Sequence, residues 1–173
     1  LRPGRPLPRD CAALVDANPR TPHLPAEAGL LRSYLAGGGS YMVLVEPDFA
    51  VEARPAAVIA EAGARIGDGV IVDPAEHYFT DEQMVAVTQY ARHPAVGGLA
   101  LSFLPGARPL EAVPAPSVIT IPLFSSSKDS YTLAPGPRAT RAPAGMPAAH
   151  PLALAAEGRW SEGKRFRLIV VGD

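Results

Sequence analysis

One cysteine, no apolar run long enough for a membrane helix and no excess of either charge: the 173-residue chain informs first by what it does without. A lone Cys11 permits no internal disulfide, which leaves reducing and oxidising compartments equally open. No stretch approaches the ~18 consecutive apolar residues of a bilayer-spanning helix. The start, Leu1-Arg2-Pro3-Gly4-Arg5-Pro6, lacks the apolar middle region of a signal peptide. The chain also begins without Met and ends at a strand end, which predicts a piece of a longer protein. Its 16 Lys and Arg are scattered and balanced by 17 Asp and Glu, for a net charge of -1. The basic footprint of a nucleic-acid binder is missing, so nucleic acid is not an expected partner.

Catalytic and metal signatures are equally sparse. No G-x-S-x-G elbow occurs, and Cys11, flanked by Ala12 and Ala13, reads as a small buried residue and not as a nucleophile. Ser125-Ser126-Ser127 follows a strand but belongs to a polar loop. The histidines His23, His77, His93 and His150 are single and far apart, without the paired spacing or cysteine companions of a metal site. The best local cluster, Glu76-His77 beside Asp73, reads as a surface turn. Gly37-Gly38-Gly39 precedes a strand, the reverse of the order in a dinucleotide loop, so no helix N-terminus faces a phosphate there. These features predict no catalytic residue, no metal and no cofactor. Aromatics for a carbohydrate-binding rim would have to come from Trp160, Tyr41, Tyr78, Tyr90 and Tyr131, with Tyr41 in the core and Trp160 in a connection.

What is abundant is punctuation: 20 Pro and 16 Gly, with the prolines crowded into residues 1–8, 105–122 and 135–151. Between them lies regular patterning. The length suits one domain burying roughly 70% of its unfolded surface, with residues 1–9 irregular and residues 125–149 forming one long Pro-rich loop. Cys11 to Val15 reads as a first strand. Pro25-Ala26-Glu27 opens a helix whose buried stripe is Leu30, Leu31, Tyr34 and Leu35, stopped by three glycines. Tyr41 to Val45 is a buried strand running into Glu46-Pro47. A helix over Arg54 to Ala62 ends at Gly63, and Val70-Ile71-Val72 is a strand closed by Asp73-Pro74. Asp81 to Arg92 fits either helix or strand. Val118 to Leu123 is a strand near a sheet edge because of Pro122. Leu152 to Ala156 and Phe166 to Val171 fit a two-stranded finish joined by Glu157 to Lys164.

A helix handed directly to a buried strand is the repeating unit of a parallel α/β sheet. Such sheets place their sites beyond the carboxyl ends of the strands. The residues there, Asn18, Glu46, Asp48, Asp73 and Asp173, are therefore the candidate rim for a ligand or partner. Capping of the next helix is the alternative role for these acids, as for Asp48 before 51–62.

The order of these motifs resembles a known family. Leu14-Val15 with Asn18-Pro19-Arg20, Tyr34 to Gly39, Val43-Leu44-Val45-Glu46-Pro47, Ala62-Gly63-Ala64, Gly67-Asp68, Val72-Asp73-Pro74, His93-Pro94 and the terminal Arg167 to Asp173 look like the soluble domain of GldG-type ABC-transporter auxiliary proteins of gliding motility. The resemblance covers about residues 10–173. It implies a flavodoxin-like or glutamine-amidotransferase-like α/β sandwich with a mostly parallel central sheet. It further implies a non-catalytic, extracytoplasmic (periplasmic) domain of a cytoplasmic-membrane protein, anchored by flanking helices outside this sequence, with an ABC permease and ATPase as partners. A small-ligand or carbohydrate-binding module, or an amidotransferase-like hydrolase, are the alternatives on the same fold.

Overall fold

A computed structural model describes residues 7–8, 10–19, 24–46, 56–134, 143–160 and 163–173. In chain order the elements are β1 (Leu14–Ala17), α1 (Pro25–Ala36), β2 (Ser40–Leu44), α2 (Ala56–Glu61), β3 (Ala64–Ile66), β4 (Val70–Val72), β5 (His77–Tyr78), β6 (Asp81–Val87), β7 (Ser102–Pro105), β8 (Leu110–Ala112), β9 (Val118–Ser125), β10 (Tyr131–Leu133), β11 (Pro143–Ala144), β12 (Pro151–Arg159) and β13 (Arg165–Val171).

Helix α1 and strand β2 form where the pattern places them, whereas the first strand, expected over Cys11 to Val15, spans Leu14–Ala17, and Leu30 of the expected stripe is only half-buried. In α1 the Glu27 carboxylate accepts the Leu24 N–H at 2.8 Å, satisfying one of the donors that a helix start leaves open. The glycines then end it, with Gly38 in the left-handed region at φ 94°. Gly39 is required for another reason: a Cβ there would fall inside the Tyr34 ring, whose hydroxyl reaches Cys11 O and accepts the Ser40 N–H, both at 3.3 Å. Helix α1 thereby delivers the chain into β2, which pairs parallel with both β1 and β13.

The main sheet has the order β1-β2-β13-β12-β9. One face carries Tyr41, Val43, Val45, Leu154, Phe166, Leu168 and Val170, packed under Leu31 and Leu35 of α1 and Val58 and Ile59 of α2. The Tyr41 hydroxyl donates to Asp16 Oδ2 at 3.3 Å, and burial, followed by the Asp16 charge, pushes its pKa up. The opposite face contributes Ala153 and Ala155 to a second core with Ile71, Val85, Val87, Leu104, Leu123 and Phe124.

The expected α/β sandwich with a mostly parallel central sheet is not what the chain forms. Strand makes up 42% and helix 12%, and three small sheets, β11-β10-β4, β3-β8 and β5-β6-β7, stand beside the main one among the described residues. Connection length explains the change. A parallel neighbour needs a crossover of roughly a dozen residues or more. Beyond β2, the strands β5 and β6 are joined by Phe79-Thr80 alone, and β12 and β13 by 160–164, so both pairs return antiparallel. The strand Val70–Val72, expected in the parallel sheet, pairs with β10 instead. The expected loop over 125–149 contains β10 and β11, and the segment that fitted either helix or strand contains β6. Pro122 lies in β9, an edge strand of the main sheet. The helix expected over Arg54 to Ala62 is described from Ala56, with 54–55 outside the described residues.

Candidate functional site

Three of the five rim residues come together. Ala17, Leu44 and Val171 stand level across β1, β2 and β13, so Asn18, Glu46 and Asp173 leave the same edge of three adjacent parallel strands. Asn18 turns the chain with φ 47°, a left-handed conformation that asparagine tolerates, and donates its N–H to Leu44 O at 3.1 Å. Its side-chain oxygen is buried and has no hydrogen-bond partner among the described residues. Burial, and next the Glu46 charge, raise Asp173 to about 6. The N–H of Arg108 donates to Gly172 O at 2.8 Å, fixing the residue before Asp173. Asp48 lies outside the described residues.

Asp73 is elsewhere and does something else. It follows β4, a strand of a separate sheet, and is fully buried against the segment after β9. Its Oδ1 accepts Ala75 N–H (3.1 Å), Glu76 N–H (2.9 Å) and the Ser127 hydroxyl (2.7 Å), while Oδ2 accepts Ser127 N–H (2.7 Å). Four donors converging on one carboxylate make it a clamp between the β4 end and the segment after β9, with no oxygen turned to a substrate. The neighbouring His77 uses Nδ1 against Asp73 O at 2.9 Å. Among the described residues no group of three His, Cys, Asp or Glu is placed to hold a metal ion.

The serines are similarly occupied. Ser126 Oγ lies 2.6 Å from Ser130 Oγ and accepts the His150 N–H at 2.9 Å, and Ser130 donates to Ala148 O at 2.7 Å. Burial holds His150 below the usual histidine pKa, favouring the neutral ring, and its Nε2 is buried without a partner among the described residues. An open cleft of about 600 Å³ runs beside this network, lined by Glu76, Gln89, Tyr90, Ser125, Lys128 and Asp129. Cys11 Sγ points to Ala13 O at 3.4 Å in the segment before β1, not in a strand-to-helix elbow.

Exposed apolar residues were missed in the sequence, apart from Tyr78, which was among the aromatics available for a rim. Val15, Met42, Ile169, Ala155 and Ile121 stand in one row across all five strands of the main sheet, on the face away from the helices. The middle of the row is covered, whereas Val15 is 64% exposed at one edge and Ile119, near the other, 72%. A second group sits on β5-β6-β7. Phe79, 85% exposed, occupies the β5–β6 turn with φ 58°, and Tyr78 packs edge-on against Phe103 with ring centroids 4.6 Å apart. A bulky residue in the left-handed region costs about 1–2 kcal/mol. The available signal was the alternation Leu99, Leu101, Phe103 just before a proline, a period-two strand pattern.

No family model matches the chain, and no curated protein matches it. Among solved structures it is similar to one described as "mmIFT52 N-terminal domain", with a TM-score of 0.66 and 16% identity over 94% of this chain. The chain spans 65% of that structure, just under two thirds of its length. At this identity the likeness establishes a shared fold. It corrects the sequence-based resemblance to GldG-type auxiliary proteins, and with it the gliding-motility role, the ABC permease and ATPase partners and the periplasmic location. The motifs behind that resemblance, a glycine-stopped helix and strands ending in acids, are local features that many folds share. Among the described residues no helix is long and apolar enough to cross a membrane.

Proposed function

We propose that this domain is a non-catalytic assembly module of an intraflagellar transport complex, acting in the cytoplasm or cilium by binding partner subunits. The likeness to the IFT52 N-terminal domain over nearly the whole chain carries this reading. The polar groups add support. Asp73, Ser126, Ser127 and Ser130 use their hydrogen-bonding capacity inside the fold and leave no nucleophile and base facing one another. The rim of Asn18, Glu46 and Asp173 serves as one contact surface for a subunit, and the domain works without a cofactor. The test is co-expression with intraflagellar transport subunits of the same source, followed by size-exclusion chromatography. Co-elution with a defined subcomplex is expected, and a domain that elutes alone beside every subunit overturns the reading.

A further inference from the structure

The sheet β5-β6-β7 has one face inside and one outside. Val85, Val87 and Leu104 point into the second core. By alternation Glu82, Met84 and Ala86 of β6 share the other face with Phe103 and Pro105 of β7, where Ala86 stands opposite Phe103 and Met84 opposite Pro105. Leu101, Tyr78 and Phe79 are exposed beside them. The aromatic pair Tyr78–Phe103 is already in an edge-to-face arrangement, so this surface presents ordered rings. At its tip, Phe79 holds a backbone conformation for which glycine or asparagine is the relaxed choice. Its side chain contributes little to the core, being almost wholly in solvent. A strained, exposed aromatic beside an edge-to-face pair has the character of a binding anchor.

Charge decides what it binds. On the outer face of β6 the charged residue is Glu82; residues 74–87 and 99–105, which build the sheet, add Glu76 and Asp81 and neither Lys nor Arg, the 88–98 connection carries Arg92, and Lys128 lines the neighbouring cleft beside Glu76. An anionic membrane would be repelled by these acids, and a second copy of the chain would bring the same acids to the same rim.

We infer that the outer face of β5-β6-β7, with Phe79 at its tip, is a docking site for a segment of a partner protein whose apolar side chains are flanked by lysine or arginine. The inference deepens the assembly reading and rests on it only in taking the occupant to be protein. The probe is a library of displayed random peptides, selected on the wild-type domain and counter-selected on Phe79→Asn, a variant that suits the left-handed turn and leaves the core untouched. Enriched peptides should pair apolar anchors with Lys or Arg and bind Phe79→Asn and Phe103→Ser at least tenfold more weakly. They should lose affinity as salt rises and shift amide resonances of 78–86 and 101–105. No differential enrichment, acidic winners, shifts elsewhere, vesicle pelleting through Phe79 or Phe79-dependent dimerisation would each overturn it. Running wild type and Phe79→Asn through the co-elution assay separates the two readings. Failure of the wild type there sinks the assembly role, whereas a positive wild type with an equally bound variant sinks only this docking face.

Discussion

The two faces of the main sheet are built from the same strands and treated differently. One is roofed by α1 and α2, and Leu31, Leu35, Ile59, Phe166 and Leu168 there are all but inaccessible. The other is roofed only in its middle, by the second core, and its flanks leave Val15, Ile119 and Ile121 in solvent. Successive residues of a strand point to opposite faces, and because runs such as Tyr41 to Leu44 and Leu168 to Val171 are apolar throughout, both faces are apolar and hydrophobicity alone does not distinguish them. Cover does. The roofed face is where the fold gets its stability, and the open flanks and the β5-β6-β7 sheet are where apolar surface remains for other molecules.

The comparison is tested hardest by truncating one residue on each face. Phe166→Ala removes a fully buried ring that packs on Trp160 at 4.8 Å between centroids, and should cost about 3–5 kcal/mol, read as a lowered urea midpoint. Ile119→Ser, on the open flank, should stay within about 0.5 kcal/mol. Equal losses would mean that the exposed flank is part of the core.

Next in size is the Asp73 clamp. Asp73→Asn keeps the shape but replaces one acceptor with a donor facing Ser127, so at least one buried donor is left unmet. We expect a loss of about 2–3 kcal/mol, from hydrogen bonds to a charged group and the penalty for a buried unsatisfied donor. Thermal unfolding of Asp73→Asn beside Ser127→Ala checks it. If the Asp73→Asn variant unfolds at the wild-type temperature, the carboxylate is no clamp.

How much of this was legible differs by region for physical reasons. Leu30 to Val45 could be read because helix period, glycine stop and buried strand follow one another without a gap, and each signal is local. Asn18, Glu46 and Asp173 could be placed on one rim because a parallel register carries strand ends to one edge. Asp73 was assigned to the same rim, but its strand joined a different sheet, since the partner of Val70–Val72 is Tyr131–Leu133, about sixty residues away in sequence, and no local pattern encodes such pairing. The short strands Ala64–Ile66, His77–Tyr78 and Leu110–Ala112 are two or three residues long, below the length at which alternation is detectable. The aromatic tip was missed because Phe79 departs from the rule that left-handed turns take glycine or asparagine.

A smaller effect should appear as a pH dependence at the rim. Asp173, raised to about 6 by burial and then by Glu46, holds its proton in the folded state more tightly than in the unfolded one. Folding stability is therefore greatest below the unfolded carboxyl pKa, near 4, and falls as pH rises to about 6, beyond which this group adds no further change. Asp173→Asn should flatten that interval and be more stable than wild type at neutral pH, as measured by urea midpoints across the range. A slope that survives the substitution assigns it to another group.

The smallest change concerns the exposed tip and has the opposite sign to those in the core. Phe79→Asn relieves a left-handed aromatic and removes almost no buried area, so folding stability should be unchanged or rise by up to about 1 kcal/mol. Phe166→Ala destabilises because its ring is inside, whereas Phe79→Asn spares the fold because its ring is outside. Differential scanning fluorimetry of the variant decides the matter: a clear drop in Tm would place Phe79 in the stabilising part of the molecule. An unchanged or higher Tm, together with lost peptide binding, would show a residue kept at a cost to the fold for what it contacts in another protein.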